Sequence, residues 1–397
     1  MEYDLAVVGG GLGGSSLAMS MARHGARVLV VENQPQFRDR IRGEVMHTWG
    51  VVEALALDIC QPLIETCGHE TRYWASPAGP RDLVQTTPAG RGCLNFVHPE
   101  MQHKLLELAV EAGAELRRPA ECVAVTPGPK PGIIIRANGI EETVSARLVV
   151  AADGRNSRVR ARAQFEVRKD PDIRAMAGAL HYGLTLPDHT VQAMTNHAIG
   201  HGFVIVPVGR ERFRSYLFFL HDARPPLTGQ RDEAALFAGC VDVGASPDWF
   251  RHAESIGPLA TFNCADRWVD HPYRDGIVLI GDAAASTDPS HGSGLSLTLR
   301  DVRVLRDCLL ANTDWAVAAT DYAEQHDRYR DSLHRIHTWF KELSHAAGPD
   351  GDALRARVNA AHAEDPSRRI DLIGLGPDAR TDETARRRFF CLDDSTA

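Results

Sequence analysis

Four stretches of the chain are short and apolar without interruption: Leu5-Ala6-Val7-Val8, Val28-Leu29-Val30-Val31, Leu148-Val149-Val150-Ala151 and Ile277-Val278-Leu279-Ile280. Runs of this length with no polar alternation predict strands buried on both faces, as in a parallel sheet. Each is followed at once by a glycine turn or a carboxylate: Gly9-Gly10-Gly11, Glu32, Asp153-Gly154 and Gly281-Asp282. Such residues fall at the carboxyl edge of the sheet, where open α/β sheets bind their ligands.

Between the runs the period lengthens to that of helices. Small residues from Leu12 to Ala22 predict a helix entered directly from the first glycine turn, and a helical pattern also covers residues 45–57. His98-Pro99-Glu100 opens another, with Leu105, Leu106, Leu108, Ala109 and Ala112 as its buried stripe and Gly113 as its end. Residues 70–97 read as irregular strands. A strand at 121–125, a Pro/Gly-rich hairpin at 127–132 and paired strands at 133–137 and 142–145 follow.

From 167 to 273 the composition turns β-rich, with segments 177–184, 202–208 and 213–220 broken by Gly and Pro. A helix begins near Gly294, helices dominate to about residue 362, and the tail reads as a surface cover with one late helix. The predicted organisation is an α/β domain from 1–166 and 274–340, a β-rich domain at 167–273 inserted into it, and a helical C-terminal cover at 341–397.

Composition narrows the function classes. The 397 residues are 44% hydrophobic and 24% charged, values of an ordinary globular protein, and the net charge of -8 gives no electrostatic reason to expect nucleic acid. No apolar run reaches the ~18 residues of a transmembrane helix, and the N-terminus enters a strand without a signal-peptide pattern. The eight cysteines form no C-x-x-C pair and no metal-binding spacing. They read as reduced thiols of a cytoplasmic protein, and no metal site is expected.

Candidate chemistry concentrates at the strand ends. Gly9, Gly11 and Gly14 fit the G-x-G-x-x-G spacing of a dinucleotide site, with Leu12 and Gly13 opening the helix whose N–H groups face a pyrophosphate. Glu32 ends the second strand, near the ~20-residue spacing at which an acid accepts from a ribose hydroxyl. Arg38, Arg40 and Arg42 follow in a polar loop, and Arg42, beside Gly43, is the one favoured as a ligand contact. Asp282 is suited to sugar hydroxyls, and the small residues after it admit a flat ligand.

Taken together, Gly9–Gly14 with Glu32, Asp153-Gly154 with Ser157 and Arg160, and Gly281-Asp282 with Pro289, Gly292 and Gly294 resemble the FAD-dependent monooxygenases of the para-hydroxybenzoate hydroxylase type, the class A flavoprotein hydroxylases. The resemblance covers about three quarters of the chain. It implies a glutathione-reductase-like Rossmann FAD domain carrying an inserted substrate domain. By it, the glycine turn holds the FAD pyrophosphate, Glu32 the adenosine ribose, Arg42 the ribityl or phosphate region, and Asp153-Gly154 FAD and the nicotinamide cofactor. Asp282 would bind the ribityl chain, while Pro289, Gly292, Ser293, Gly294 and Leu295 would line the isoalloxazine. His98 stands where the family often has an arginine, Val123 is a further implied FAD contact, and Ala285 replaces a common histidine.

The activity implied is transfer of oxygen from O2 to an aromatic or otherwise electron-rich apolar small molecule, with NADPH or NADH as reductant, through a flavin C(4a)-hydroperoxide. His47, His181, Phe203, Tyr216 and Phe218 are the expected substrate-pocket residues. His291, inside the flavin-lining segment, is the least arbitrary base. Alternatives are a reductase of the geranylgeranyl type, a flavin halogenase, which would need a lysine at its tunnel, and a non-catalytic flavin-binding protein. A homodimer and a separate flavin reductase stay open.

Overall fold

Strand β1 (Glu2–Val8) leads through a glycine turn into α1 (Leu12–Arg23) and returns in β2 (Val28–Val31). The computed structural model of the chain describes residues 2–41, 43–346 and 348–392. Two four-residue strands, β3 (Tyr73–Ser76) and β4 (Gly79–Asp82), then leave this unit. Helix α2 (His98–Glu111) comes back to pack on α1, and β5 (Glu115–Arg117) adds beside β2. The long strand β6 (Ile140–Ala151) pairs parallel with β1 on its other side.

A second sheet follows, built on β7 (Arg174–Tyr182), β8 (Thr190–Asn196), β9 (His201–Pro207) and β10 (Arg212–Leu220). The chain re-enters the first sheet as β11 (Ile277–Leu279), parallel to β6, and finishes in α3 (Gly294–Ala311), α4 (Trp315–His345) and α5 (Gly348–Glu364).

The unbroken apolar runs have a direct explanation. Leu5, Val7, Val28, Val30, Leu148, Val150, Val278 and Ile280 point into a core shared with α1, α2 and α3. Their neighbours Ala6, Val8, Leu29, Val31, Val149, Ala151, Ile277 and Leu279 point into a second core on the opposite face. That second core is roofed by the antiparallel strands Glu121–Thr126 and Gly132–Ala137. With both faces covered, neither strand position tolerates a polar residue. The short strand expected at 142–145 and the apolar run after it are one element, β6: its first six residues, exposed except Val144, form a hairpin arm, and its last four, Leu148–Ala151, are wholly buried.

Two boundaries differ from expectation. The second sheet begins before residue 167, because β3 pairs parallel with β8 and β4 pairs with β3. Four residues with Pro80 among them make a sheet-edge strand that carries little periodicity to read. At the other end, α4 runs unbroken through residue 340 to His345. The late helix, Glu383–Phe389, docks Phe389 on Trp339 and Phe340 of α4. Among the described residues no helix is long and apolar enough to cross a membrane.

Candidate flavin and substrate site

The carboxyl ends of β1, β2, β6 and β11 open on one cavity of about 660 Å³, lined there by Gly9, Glu32, Asp153 and Gly281. Gly9 turns the chain with a φ of 108°, in the left-handed region that a side chain disfavours. α1 starts at Leu12 with no side-chain cap, so its first N–H groups face the cavity unclaimed by any capping side chain. Glu32 is buried and held rigidly: Gly10 N–H donates to its Oε2 at 2.8 Å and Gln34 N–H to its Oε1 at 2.6 Å. The acid thus fixes the glycine turn as well as lining the wall.

The other two turns are clamped to each other. Asp153 accepts from Ser157 Oγ at 2.5 Å and from the Arg158 N–H at 2.7 Å, and Ser157 in turn caps the short helix Arg158–Arg162. From that helix the buried Arg160 donates to the carbonyls of Ala283 (2.9 Å) and Arg155 (2.8 Å). Ser157 and Arg160 therefore hold the Asp153 and Asp282 turns in fixed relation, and Asp153, Gly154 and Asp282 all line the cavity.

Beneath Gly281 lies a carboxyl that the sequence did not single out. Asp301, fully buried on α3, accepts from Gly281 N–H at 2.7 Å and from the Tyr329 hydroxyl at 2.6 Å. Burial raises its carboxyl to about 6. Its folded value thus exceeds its unfolded one, so its contribution to stability is full below about pH 4 and lost as pH rises through about 6. Asp301→Asn is expected to remove, between pH 4 and 7, a pH dependence of roughly 2–3 kcal/mol; urea midpoints across that window for both proteins check it.

The second sheet supplies the cavity's apolar lobe. Trp74 of β3, Met176 of β7, Val204 and Val206 of β9, Tyr216 of β10 and Phe262 form it, facing Pro289, Ser290, Gly292 and Leu295. Alternation decides which residues these are. Val204 and Val206 look into the lobe, so Phe203 looks out, onto Trp249 in the core beneath helix Glu233–Val243. His181 also faces away, its Nε2 3.0 Å from Glu233 Oε1. Phe218 shares the face of Tyr216 but lies under the Arg174 guanidinium, 4.6 Å away, outside the cavity lining. His47 is buried edge-on to Trp74, and burial lowers its imidazole to about 4. Of the five expected pocket residues, Tyr216 alone is on the wall.

His291 is not in the cavity either. Its ring stacks on His337 at 4.4 Å, on the far side of the segment whose Ser290 and Gly292 do line the wall. Burial there holds its imidazole well below the ordinary range, which leaves it a packed neutral ring.

Of the expected cofactor residues, Gly9, Gly11, Leu12, Gly13, Glu32, His98, Asp153, Gly154, Gly281, Asp282, Pro289, Gly292, Gly294 and Leu295 line the cavity. Gly14 sits behind the turn. Val123 points off it, and its neighbours Glu121 and Cys122 form the wall instead. Ser293 is buried with its Oγ 3.1 Å from His337 Nε2. Arg42 lies outside the described residues. Gln102, one helical turn beyond His98 on α2, also lines the site, and that spacing was a signal to use.

The junction of sheet and cavity carries a buried ion pair. Arg214 on β10, with no exposed surface, donates from Nε to Glu44 Oε2 at 2.6 Å and from Nη2 to Glu44 Oε1 at 2.8 Å and Asp39 Oδ2 at 2.7 Å. Burial pushes the Glu44 carboxyl up, and the two guanidinium bonds oppose that shift. Elsewhere, Asp170, Asp266 and His334 have the proximity of metal ligands, but the Lys341 ammonium already sits on both carboxylates, 3.3 Å from Asp170 Oδ2.

FAD fits these residues. A Cβ on Gly11 would meet only the Gln102 amide, at 3.3 Å, so the wall there is open to a phosphate. The uncapped α1 N-terminus suits the pyrophosphate, and a buried carboxylate stands at the ribose position.

Comparison with known proteins agrees. A family model described as an FAD binding domain matches residues 2–336. Kynurenine 3-monooxygenase of Salinispora tropica is 27% identical over 407 residues, covering 90% of this chain and 85% of the relative. Ubiquinone hydroxylase UbiL of Rhodospirillum rubrum is 29% identical over 334 residues, covering 78% of this chain and 72% of the relative. Among solved structures, a flavin-dependent brominase superposes with a TM-score of 0.78 at 16% identity over 99% of both chains, a likeness of fold alone.

Proposed function

Since the chain belongs to the FAD-binding-domain family, we propose that it is an FAD-dependent monooxygenase that transfers one oxygen atom of O2 to an aromatic small molecule at the expense of NADPH or NADH. The observation that carries this reading is the continuity of the cavity: a dinucleotide cradle at the carboxyl edge of the first sheet runs without a break into an apolar lobe under the second.

FAD, when bound, supplies the redox and oxygen-transfer chemistry. The glycine turn and α1 hold its pyrophosphate, Glu32 its ribose, Asp282 its ribityl chain, and the segment from Pro289 to Leu295 its ring system. α3 begins at Gly294 without a side-chain cap, so its positive end favours negative charge beside that segment. Trp74, Met176, Val204, Val206 and Phe262 keep water from the substrate, which protects a reactive oxygen donor from wasteful decay.

The halogenase alternative calls for a lysine at the cavity, whereas among the described residues the basic side chains lining it are those of Arg38, Arg40, Arg155, Arg158 and His98. All eight cysteines are free, which supports a cytoplasmic setting.

The test is the absorption spectrum of purified protein, then NADPH and NADH consumption with O2 uptake over a panel of phenols and polycyclic aromatics. Bound FAD, substrate-stimulated consumption and a product heavier by one oxygen are expected. Bound FAD with a double bond saturated and no O2 consumed would replace oxygen transfer by reduction. Colourless protein that FAD cannot reconstitute would overturn the reading altogether.

A further inference from the structure

Of the residues by which the segment from Pro289 to Leu295 lines the cavity, Ser290 brings the one polar side chain; Pro289, Gly292, Gly294 and Leu295 have none. Ser290 is half-buried, and Asp288 behind it is buried. Asp288 Oδ1 accepts twice from this serine, from its N–H at 2.9 Å and from its hydroxyl at 2.7 Å. A turn is capped by the first of these bonds alone. The second fixes the hydroxyl. A backbone N–H can only donate, so Oδ1 is the accepting oxygen and the hydroxyl's single proton points at it. Asp288 is itself held in place: its N–H donates to Asp266 Oδ1 at 3.0 Å, and the Lys341 ammonium of α4 stands 3.9 Å from its Oδ2. Among the described residues the Ser290 hydroxyl has no second partner. A serine whose proton is committed behind the wall has lone pairs left for the cavity, and the group that meets them is a donor.

We propose that Ser290, held in its accepting orientation by Asp288, receives the substrate's polar group, and that the substrate is an aromatic carrying a hydroxyl or N–H donor on its ring. This rests on the monooxygenase reading and narrows it. Trp74, Met176, Val204, Val206 and Phe262 form the apolar wall across from Ser290, so the hydroxyl fixes which edge of a flat ring turns toward the segment. A ring O–H or N–H drawn toward an oxygen leaves electron density on the ring, which suits a ring that is to take up an oxygen atom. An ether or ketone at the same place sets lone pairs against lone pairs.

The experiment is titration calorimetry on FAD-loaded protein with 2-naphthol and 2-methoxynaphthalene. Wild type is expected to bind the naphthol about tenfold more tightly than the ether, the size of one net hydrogen bond. Ser290→Ala should bring the two within about twofold, and Ser290→Thr, which keeps the hydroxyl, should restore the gap. Asp288→Asn still offers an oxygen to the Ser290 N–H and should keep the preference. Asp288→Ala frees the hydroxyl to turn and donate to the ether, which closes the gap from the other side. Loss of a merely structural contact would weaken both ligands alike. Equal binding of the two by wild type overturns the assignment without any variant, as does a preference that survives Ser290→Ala. A Ser290→Ala protein that loses FAD yet keeps the preference gives the hydroxyl to the cofactor instead. FAD content of the same samples keeps the two conclusions apart: FAD-loaded protein with no naphthol preference sinks this assignment alone. FAD-loaded protein that binds neither probe sinks the aromatic substrate, and protein that takes up no FAD sinks the function it starts from.

Discussion

A Gly14→Ala protein is expected to purify colourless and to unfold well below FAD-free wild type, whereas Gly11→Ala should keep the melting temperature of FAD-free wild type and lose only FAD. The two glycines share one turn but differ in what a methyl group would meet. At Gly14 the new Cβ would lie 1.9 Å from the carbonyl oxygen of Gly9 and 3.1 Å from Val7 Cγ1. A backbone carbonyl at the end of a buried strand cannot swing aside, so helix and strand must part, at about 3 kcal/mol or more. At Gly11 the Cβ meets only the flexible end of Gln102, at 3.3 Å. The fold accommodates that, but the methyl stands where a pyrophosphate must approach the α1 N–H groups. FAD absorbance per mole of protein, with thermal melting of each variant, checks both halves. Gly11→Ala protein that retains stoichiometric FAD would remove the turn from the cofactor site.

Arg214→Met should destabilise the protein by about 3–5 kcal/mol, the range seen when one partner of a buried ion pair is removed. The side chain has no exposed surface, and its loss leaves Glu44, equally buried, and Asp39 without their counter-charge. Arg214→Lys should restore little, since one ammonium cannot reproduce the guanidinium's two donors to Glu44. Replacing Arg214 and Glu44 together by apolar residues should recover much of the loss, because the desolvation of an unpaired charge then disappears. Urea midpoints of the single and double variants give the coupling directly. A single-variant loss under about 1 kcal/mol would mean that water reaches the pair.

The first sheet and its ligand edge were legible because their signals are local. Four apolar runs, each closed by Gly, Asp or Glu, state their own burial and direction. The same locality explains what was missed. Whether Phe203 or Val204 faces the cavity depends on which side of the second sheet helix Glu233–Val243 covers, and nothing within the strand says so. Arg214 stands in an apolar strand, and nothing local marks its partner Glu44, 170 residues away in the chain. His291 is expected at the site from its place in the chain, but the backbone between Ser290 and Gly292, which line the wall, turns its ring onto His337 instead. Asp301 gave no motif at all, since a buried aspartate on a helix is marked only by the turn it supports.

The sheet order also sets a timetable for synthesis. β3 leaves the ribosome more than a hundred residues ahead of its neighbour β8, and the first sheet waits for β11, with the whole second sheet made in between. Until β11 has emerged the first sheet is unfinished and has an open edge, and until residue 295 has emerged the cleft lacks part of its wall. FAD capture is therefore a late event, and the apolar wall that later shelters the substrate is, for most of translation, the surface most in need of a chaperone.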